Sequence, residues 1–208
     1  MITVKRYRVG PLRETFISGS PGAIRRLACF LISAFLLCGL GPLSNAAYIS
    51  SYRGNVDLKK TGTSEWVRLT SEEKIALNEN DDIKTARAST AEILLDDGTR
   101  IKLAPVSSFK ISSETNEGVS LGLYFGRIRS WVKKFSRKFE VRTPSAVCAV
   151  RGTDFMVSAD ETGDTRVEVY DGSVLTGDSR GRTNLVRAGE FSEVRKGGGV
   201  DLPRNNPN

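Results

Sequence analysis

Two short stretches hold the residues whose types and spacing could do chemistry. Arg151-Gly152-Thr153 sets a five-donor guanidinium, a conformationally free backbone position and a hydroxyl side by side. That set can clasp a carboxylate or another oxyanion. It can equally serve the fold, with Arg151 spread over turn carbonyls or a carboxylate to lock a tight connection between strands. The second stretch, residues 127–142, carries seven basic groups against the single acid Glu140, with Trp131, Phe135 and Phe139 interleaved. Arg127, Arg129, Lys133, Lys134, Arg137 and Lys138 around Trp131 form a candidate anion-binding patch for lipid head groups, a wall glycan or nucleic acid. Its purely structural counterpart is a solvated strand edge that lysines protect from aggregation.

The residues that are missing narrow the chemistry further. The chain has no histidine, which removes the commonest general base and the commonest zinc ligand together. Of three cysteines, Cys29 and Cys38 fall in an apolar leader, so Cys148 alone remains beyond it. One thiol forms no internal disulfide and no metal site, and inside residues 146–150 (AVCAV) it reads as a small buried hydrophobe. The paired acids Asp81-Asp82 and Asp96-Asp97 sit at turns, where carboxylates have ordinary structural roles. The chain is therefore expected not to be an enzyme, and no metal or other cofactor is predicted.

Charge separates the chain into two parts. The formal net charge is +7, but residues 1–46 hold six basic groups and one acid. The remainder carries 25 Lys and Arg against 23 Asp and Glu, so the folded part makes no bulk electrostatic case for nucleic acid. Residues 1–26 end in Arg25-Arg26 and lead into an apolar segment, 27–43, that Gly41 and Pro42 break. Ser44-Asn45-Ala46 then offers small residues to a signal peptidase, which places cleavage between Ala46 and Ala47. Residues 1–46 are thus predicted to be a signal peptide and the protein to be periplasmic or secreted. The alternative is an inner-membrane anchor over 27–46, the only membrane contact foreseen, though the apolar run reaches spanning length only by crossing Pro42.

Strands separated by turn chemistry follow. Residues 55–59 (NVDLK) alternate, as do 90–95 and 100–103 around Asp97-Gly98. The same device returns at 165–170 and 173–176 around Asp171-Gly172, and both read as type I′ hairpins. Residues 71–77 (SEEKIAL) are the one candidate for a short helical turn. Gly54, Gly98, Gly126 and Gly172 each precede a strand, which suggests successive hairpins stacked into a twisted β-sandwich or short β-solenoid. The expected organisation is one all-β domain over 47–195 and a disordered tail over 196–208, which is too polar and glycine-rich to pack.

These motifs resemble the FecR-like domain family. The opening Gly-x-Val and later tryptophan appear as Gly54-Asn-Val56 and Trp66. Residues 80–85 (NDDIKT), Ser89 and 97–103 (DGTRIKL) continue the pattern, with Asn80 in a usual glycine position that its tolerance of left-handed φ can fill. The most specific match is 139–146 (FEVRTPSA) with 150–157 (VRGTDFMV), and 167–174 (VEVYDGSV) and 188–190 (AGE) close it. The resemblance covers about 54–190 and makes Gly98, Thr143, Pro144, Arg151, Gly152, Thr153 and Gly172 family-motif positions, structural or partner-binding.

The resemblance implies a non-catalytic extracytoplasmic module for sensing or protein interaction in the cell envelope. The best-known members regulate a sigma factor in iron-uptake signalling, using a helical domain before the membrane segment and a further domain after the FecR part. Only 26 residues precede the apolar run here, so the expectation is a stand-alone domain. Its partner is expected to be an envelope protein. An anionic wall or lipid polymer held by 127–142 is the alternative, and nucleic acid is not expected.

Overall fold

The computed structural model describes residues 47–207, apart from 72, 116, 135 and 136. Seventeen strands are present among the described residues. In chain order they begin with β1 (Ala47–Arg53), β2 (Val56–Lys59), β3 (Val67–Arg68), β4 (Ile75–Leu77), β5 (Asp82–Thr85) and β6 (Thr90–Leu95). They continue with β7 (Arg100–Leu103), β8 (Ser107–Glu114), β9 (Gly118–Trp131), β10 (Lys138–Arg142), β11 (Ala146–Val150) and β12 (Asp154–Ala159). The last five are β13 (Thr165–Asp171), β14 (Ser173–Asp178), β15 (Thr183–Arg187), β16 (Glu190–Val194) and β17 (Arg204–Asn205).

The strands form two sheets that share β9. One runs β4-β1-β6-β7-β9-β12-β13-β16-β17. The other runs β3-β2-β5-β8-β9-β10-β11-β14-β15, and its β9–β10 pair is parallel. The first half of β9 pairs with β8 and β10 in the second sheet, and its last six residues pair with β7 and β12 in the first.

Gly126 marks the crossing. Its φ is +94°, and a Cβ there would fall 2.3 Å from Ser107 Oγ and 2.5 Å from Ser107 Cα. Only a residue without a side chain passes, while Arg127 N donates to Ser107 Oγ at 3.0 Å and fixes the two backbones together.

Alternation along the strands places one row of apolar residues between the sheets. Ile93, Ile101, Ile128, Phe155 and Val167 face in from the first sheet, and Ile83, Phe109, Leu121, Phe139 and Val174 from the second. Burying each large side chain contributes roughly 1.5–3 kcal/mol. Phe139 and Phe155 meet across the interior edge to face, with ring centroids 6.3 Å apart. The fold is all-β, as the turn chemistry implied, and is a twisted sandwich in which strands pass repeatedly between sheets.

Three local expectations are corrected. Residues 75–77, expected in a short helical turn, form β4 against Ala47–Ile49, because Ile75 and Leu77 find a strand partner there. No helix occurs among the described residues. Residues 196–207 are not loose: Val200 bridges Val194, and Arg204–Asn205 pair with Glu190 and Phe191. Ser192 Oγ and Asn184 Nδ2 both donate to Asp201 O at 2.8 Å, so side-chain donors hold what apolar burial could not. Finally, β13 and β14 do not form a hairpin around Gly172: β13 pairs with β12 and β16, and β14 with β11 and β15.

Candidate interaction site

The Arg151–Thr153 motif is a sheet-to-sheet corner. It carries the chain from β11 in the second sheet to β12 in the first. Gly152 has φ +66°, and a Cβ there would lie 2.6 Å from Lys134 Cα. Thr153 is the lock: its Oγ1 donates to Ser173 O at 2.9 Å, and its carbonyl accepts from Val132 N at 3.0 Å. Arg151 does not lock the corner as the structural reading supposed. It is exposed and forms no hydrogen bond or ion pair through its guanidinium with any described residue. The corner is fixed by the short hydroxyl and the backbone, and the long cation is left to solvent.

Thr143 and Pro144 sit in the turn between β10 and β11. Thr143 Oγ1 accepts from Ala146 N at 2.9 Å and lies 2.7 Å from Thr165 Oγ1. Ser145 Oγ, buried, donates to Val194 O at 3.0 Å. These hydroxyls tie a turn of the second sheet to β13 and β16 of the first. Gly98 occupies a true hairpin turn between β6 and β7, with Gly98 N on Leu95 O at 3.0 Å and Thr99 N on Asp97 Oδ1 at 2.8 Å. Only Gly98 of the Asp97-Gly98 pair takes positive φ, so the turn is not type I′.

The basic stretch is neither one patch nor a strand edge. Arg127, Arg129 and Trp131 lie on β9, which has neighbours on both sides. Arg129 grips Asp154 through both oxygens, Nε at 3.0 Å and Nη2 at 2.9 Å. Arg137 reaches Asp96 at 2.6 Å and Glu114 at 3.2 Å. Burial pushes the Glu114 carboxyl up, and the Arg137 charge opposes it. Lys138 and Arg142 share the buried Glu140 on the other sheet. Trp131 and Phe139 are described and Phe135 is not; Phe139 belongs to the interior. Ala47 opens β1 and is buried, and Ala46 with the rest of the leader lies outside the described residues.

What the sequence did not signal is a stack built across β7, β9 and β13. The Arg129 guanidinium lies 4.9 Å from the Trp131 ring centre and 4.3 Å from that of Tyr170, and Arg100 lies 5.2 Å from Trp131 on the neighbouring strand. Burial and the Glu168 carboxylate push the Tyr170 phenol up, so it stays a neutral donor near Glu168. Beside this stack opens a cleft of about 310 Å³ between Gly98, Trp131, Lys133, Lys134 and Gly152. A larger cleft of about 720 Å³ lies at the far end of β12. There Arg166 is already held by Glu168 at 2.7 Å and Glu193 at 3.0 Å. Among the described residues no group of three or more Cys, Asp or Glu side chains could hold a metal ion.

Residues 81–175 match the family described as FecR protein, from the start of β5 into β14. That stretch, 95 of the chain's 208 residues, is similar to the FecR family. Both the cleft and the Arg151–Thr153 corner fall inside the matched span. Two crystal structures of a protein from Parabacteroides distasonis ATCC 8503, proposed to be an anti-sigma factor, share the fold, each with a TM-score of 0.53. Identity is 22% and 23%, and each match covers 60% of this chain and 59% of that one. This chain therefore spans well under two thirds of its structural neighbour, and the likeness is one of fold. No curated protein matches.

Proposed function

We propose that this chain is an exported, non-catalytic regulatory module of the cell envelope that works by docking a protein partner. The observation that carries the reading is the similarity to the FecR family at 81–175. The fold neighbour is described as a proposed anti-sigma factor, and a signalling role of that general kind is what we carry over to this chain. Three described groups that could react are committed to structure, which supports a role without catalysis. Cys148 is fully buried, Asp81 caps a loop through Thr61 N and Asn78 N, and Asp82 sits between Lys59 and Lys110. Export rests on the leader composition of residues 1–46, and no helix among the described residues is long and apolar enough to cross a membrane. Dispersal of the basic stretch over separate ion pairs weighs against a polymer- or lipid-binding patch over 127–142.

Two measurements test this. A C-terminal alkaline phosphatase fusion to the full chain is expected to be active, and an inactive fusion made at normal level would remove the envelope from the reading. Affinity capture from envelope extract is expected to retain one protein in stoichiometric amount at high salt. Recovery of anionic polymer or lipid alone, released by salt, would replace the protein-docking role with surface binding.

A further inference from the structure

About half of the described cations stand in ion pairs, and several of those that do not gather around one cleft. Arg129, Lys138 and Arg142 stand in ion pairs. Lys133, Lys134 and Arg151 are exposed and form no ion pair with any described residue. Lys133 and Lys134 line the 310 Å³ cleft together with Arg100, and Arg151 directly precedes the cleft residue Gly152. Arg100 stands opposite Trp131 in the β7–β9 register, against its ring. Two acids also reach the cleft. Asp154 is neutralised by Arg129, which leaves Asp171 alone against this group of cations.

We infer that this cleft receives an acidic segment of the partner protein, whose carboxylates are taken by Arg100, Lys133, Lys134 and Arg151. The inference rests on the protein-docking reading above and names the chemistry of the partner. Charge complementarity is the first support. The second is the state of the rings: Trp131 is engaged by two guanidinium groups and Tyr170 by one, so part of the aromatic surface that could stack a base or a sugar is already taken. What points outward is a set of donors beside aromatic residues already fixed in place. Trp131 and Tyr170, already fixed, lose little side-chain entropy on binding, whereas the exposed Lys133, Lys134 and Arg151 must be ordered, so their gain is chiefly electrostatic and salt-sensitive.

The test uses the full chain and a fluorescein-labelled octaglutamate peptide followed by anisotropy, with octaglutamine as control. Octaglutamate is expected to bind in a salt-sensitive way, and octaglutamine is not. The pair K133E/K134E is expected to weaken binding by roughly tenfold or more, and the milder K133Q/K134Q by less. The control pair R53E/R87E makes the same charge change at the other end of β6, roughly 20 Å away, and is expected to leave affinity within about twofold. Equal loss in both glutamate pairs would reduce the effect to bulk charge and overturn the inference. Preference for polyphosphate or phosphatidylglycerol vesicles over octaglutamate would overturn it too. Partner capture separates the two levels: a partner retained by K133E/K134E sinks the cleft and spares the regulatory reading, whereas no partner for the unaltered chain sinks the reading itself.

Discussion

Asp-Gly occurs twice between strand-forming runs, at 97–98 and at 171–172, and the chain does different things after each. Beyond Gly98 it reverses within one sheet, and β6 pairs with β7. Beyond Gly172 it leaves the first sheet for the second. The local conformation is nearly the same, with φ of +80° and +85°. The difference lies in what each turn is bonded to. At Gly98 the closure is local, with Leu95 N on Thr99 O and Thr99 N on Asp97 Oδ1. At Gly172 it is distant: Ser173 O accepts from Thr153 Oγ1, Gly172 O from Ala188 N at 3.1 Å, and Val169 O from Gly189 N at 2.8 Å. Glycine permits a turn in both places, and the long-range partners decide whether it becomes a hairpin or a crossing.

If that is right, the same substitution should cost more at a crossing than at a hairpin. Gly126→Ala meets Ser107 backbone and side chain as well as a left-handed φ, and is expected to lose about 3–4 kcal/mol or fail to fold. Gly152→Ala meets Lys134 Cα at 2.6 Å and is expected to lose about 3 kcal/mol. Gly172→Ala has contacts at 3.0 Å to Gly152 O and Thr153 Oγ1, and a loss of about 2 kcal/mol is expected. Gly98→Ala meets only the end of the Lys133 side chain at 3.4 Å, leaving the left-handed cost of about 1 kcal/mol. Urea unfolding reads all four, and an equal loss at Gly98 and Gly172 would break the comparison.

The comparison also explains what the sequence could reveal. Period-two alternation in residues such as Ile93, Ile101, Val167 and Val174 identified strands and their inward faces, and each is buried. Asn80 takes φ +64° in place of the family's glycine, as its side chain allows. Alternation and turn chemistry report only near neighbours, however. They do not reveal that Gly172 swaps sheets, that β9 serves two, or that the 196–207 segment hangs on Asp201 O. The candidate site was half legible for the same reason. The 127–142 stretch announced its cations but not their partners, which come from Asp96, Glu114 and Asp154 on other strands. Arg100, 30 residues upstream, joins the cleft only through strand register.

A gentler probe removes one hydrogen bond at each turn. Thr153→Val keeps the shape of a buried side chain but deletes its donor to Ser173 O, and is expected to lose about 1–2 kcal/mol because that carbonyl is left without it. Asp97→Ala removes the acceptor from the local, part-buried Thr99 N bond and is expected to lose about 1 kcal/mol. The ratio, read from urea midpoints at constant slope, shows whether distant closure carries more weight than local closure.

The smallest effect at neutral pH belongs to Cys148, on β11 two residues before Val150 and the corner. Burial pushes its thiol from about 9 up to about 12, so the folded chain keeps the neutral form. For such a group the stability term is constant below pH 9 and declines as pH rises from 9 toward 12, because only the unfolded chain gives up the proton. A slope of up to about 1.4 kcal/mol per pH unit is expected in that window, and Cys148→Ala should remove it, as measured by the difference in urea stability between the two chains. The same thiol reports on the two turns. In the native chain it should resist a thiol reagent at pH 8, since thiolate and access are both lacking. Gly152→Ala, by loosening the corner that follows β11, should accelerate labelling well beyond Gly98→Ala when both are held under native conditions. Equal labelling rates in the two variants would mean that the crossing opens no more readily than the hairpin, and that the corner is not where the sandwich yields first.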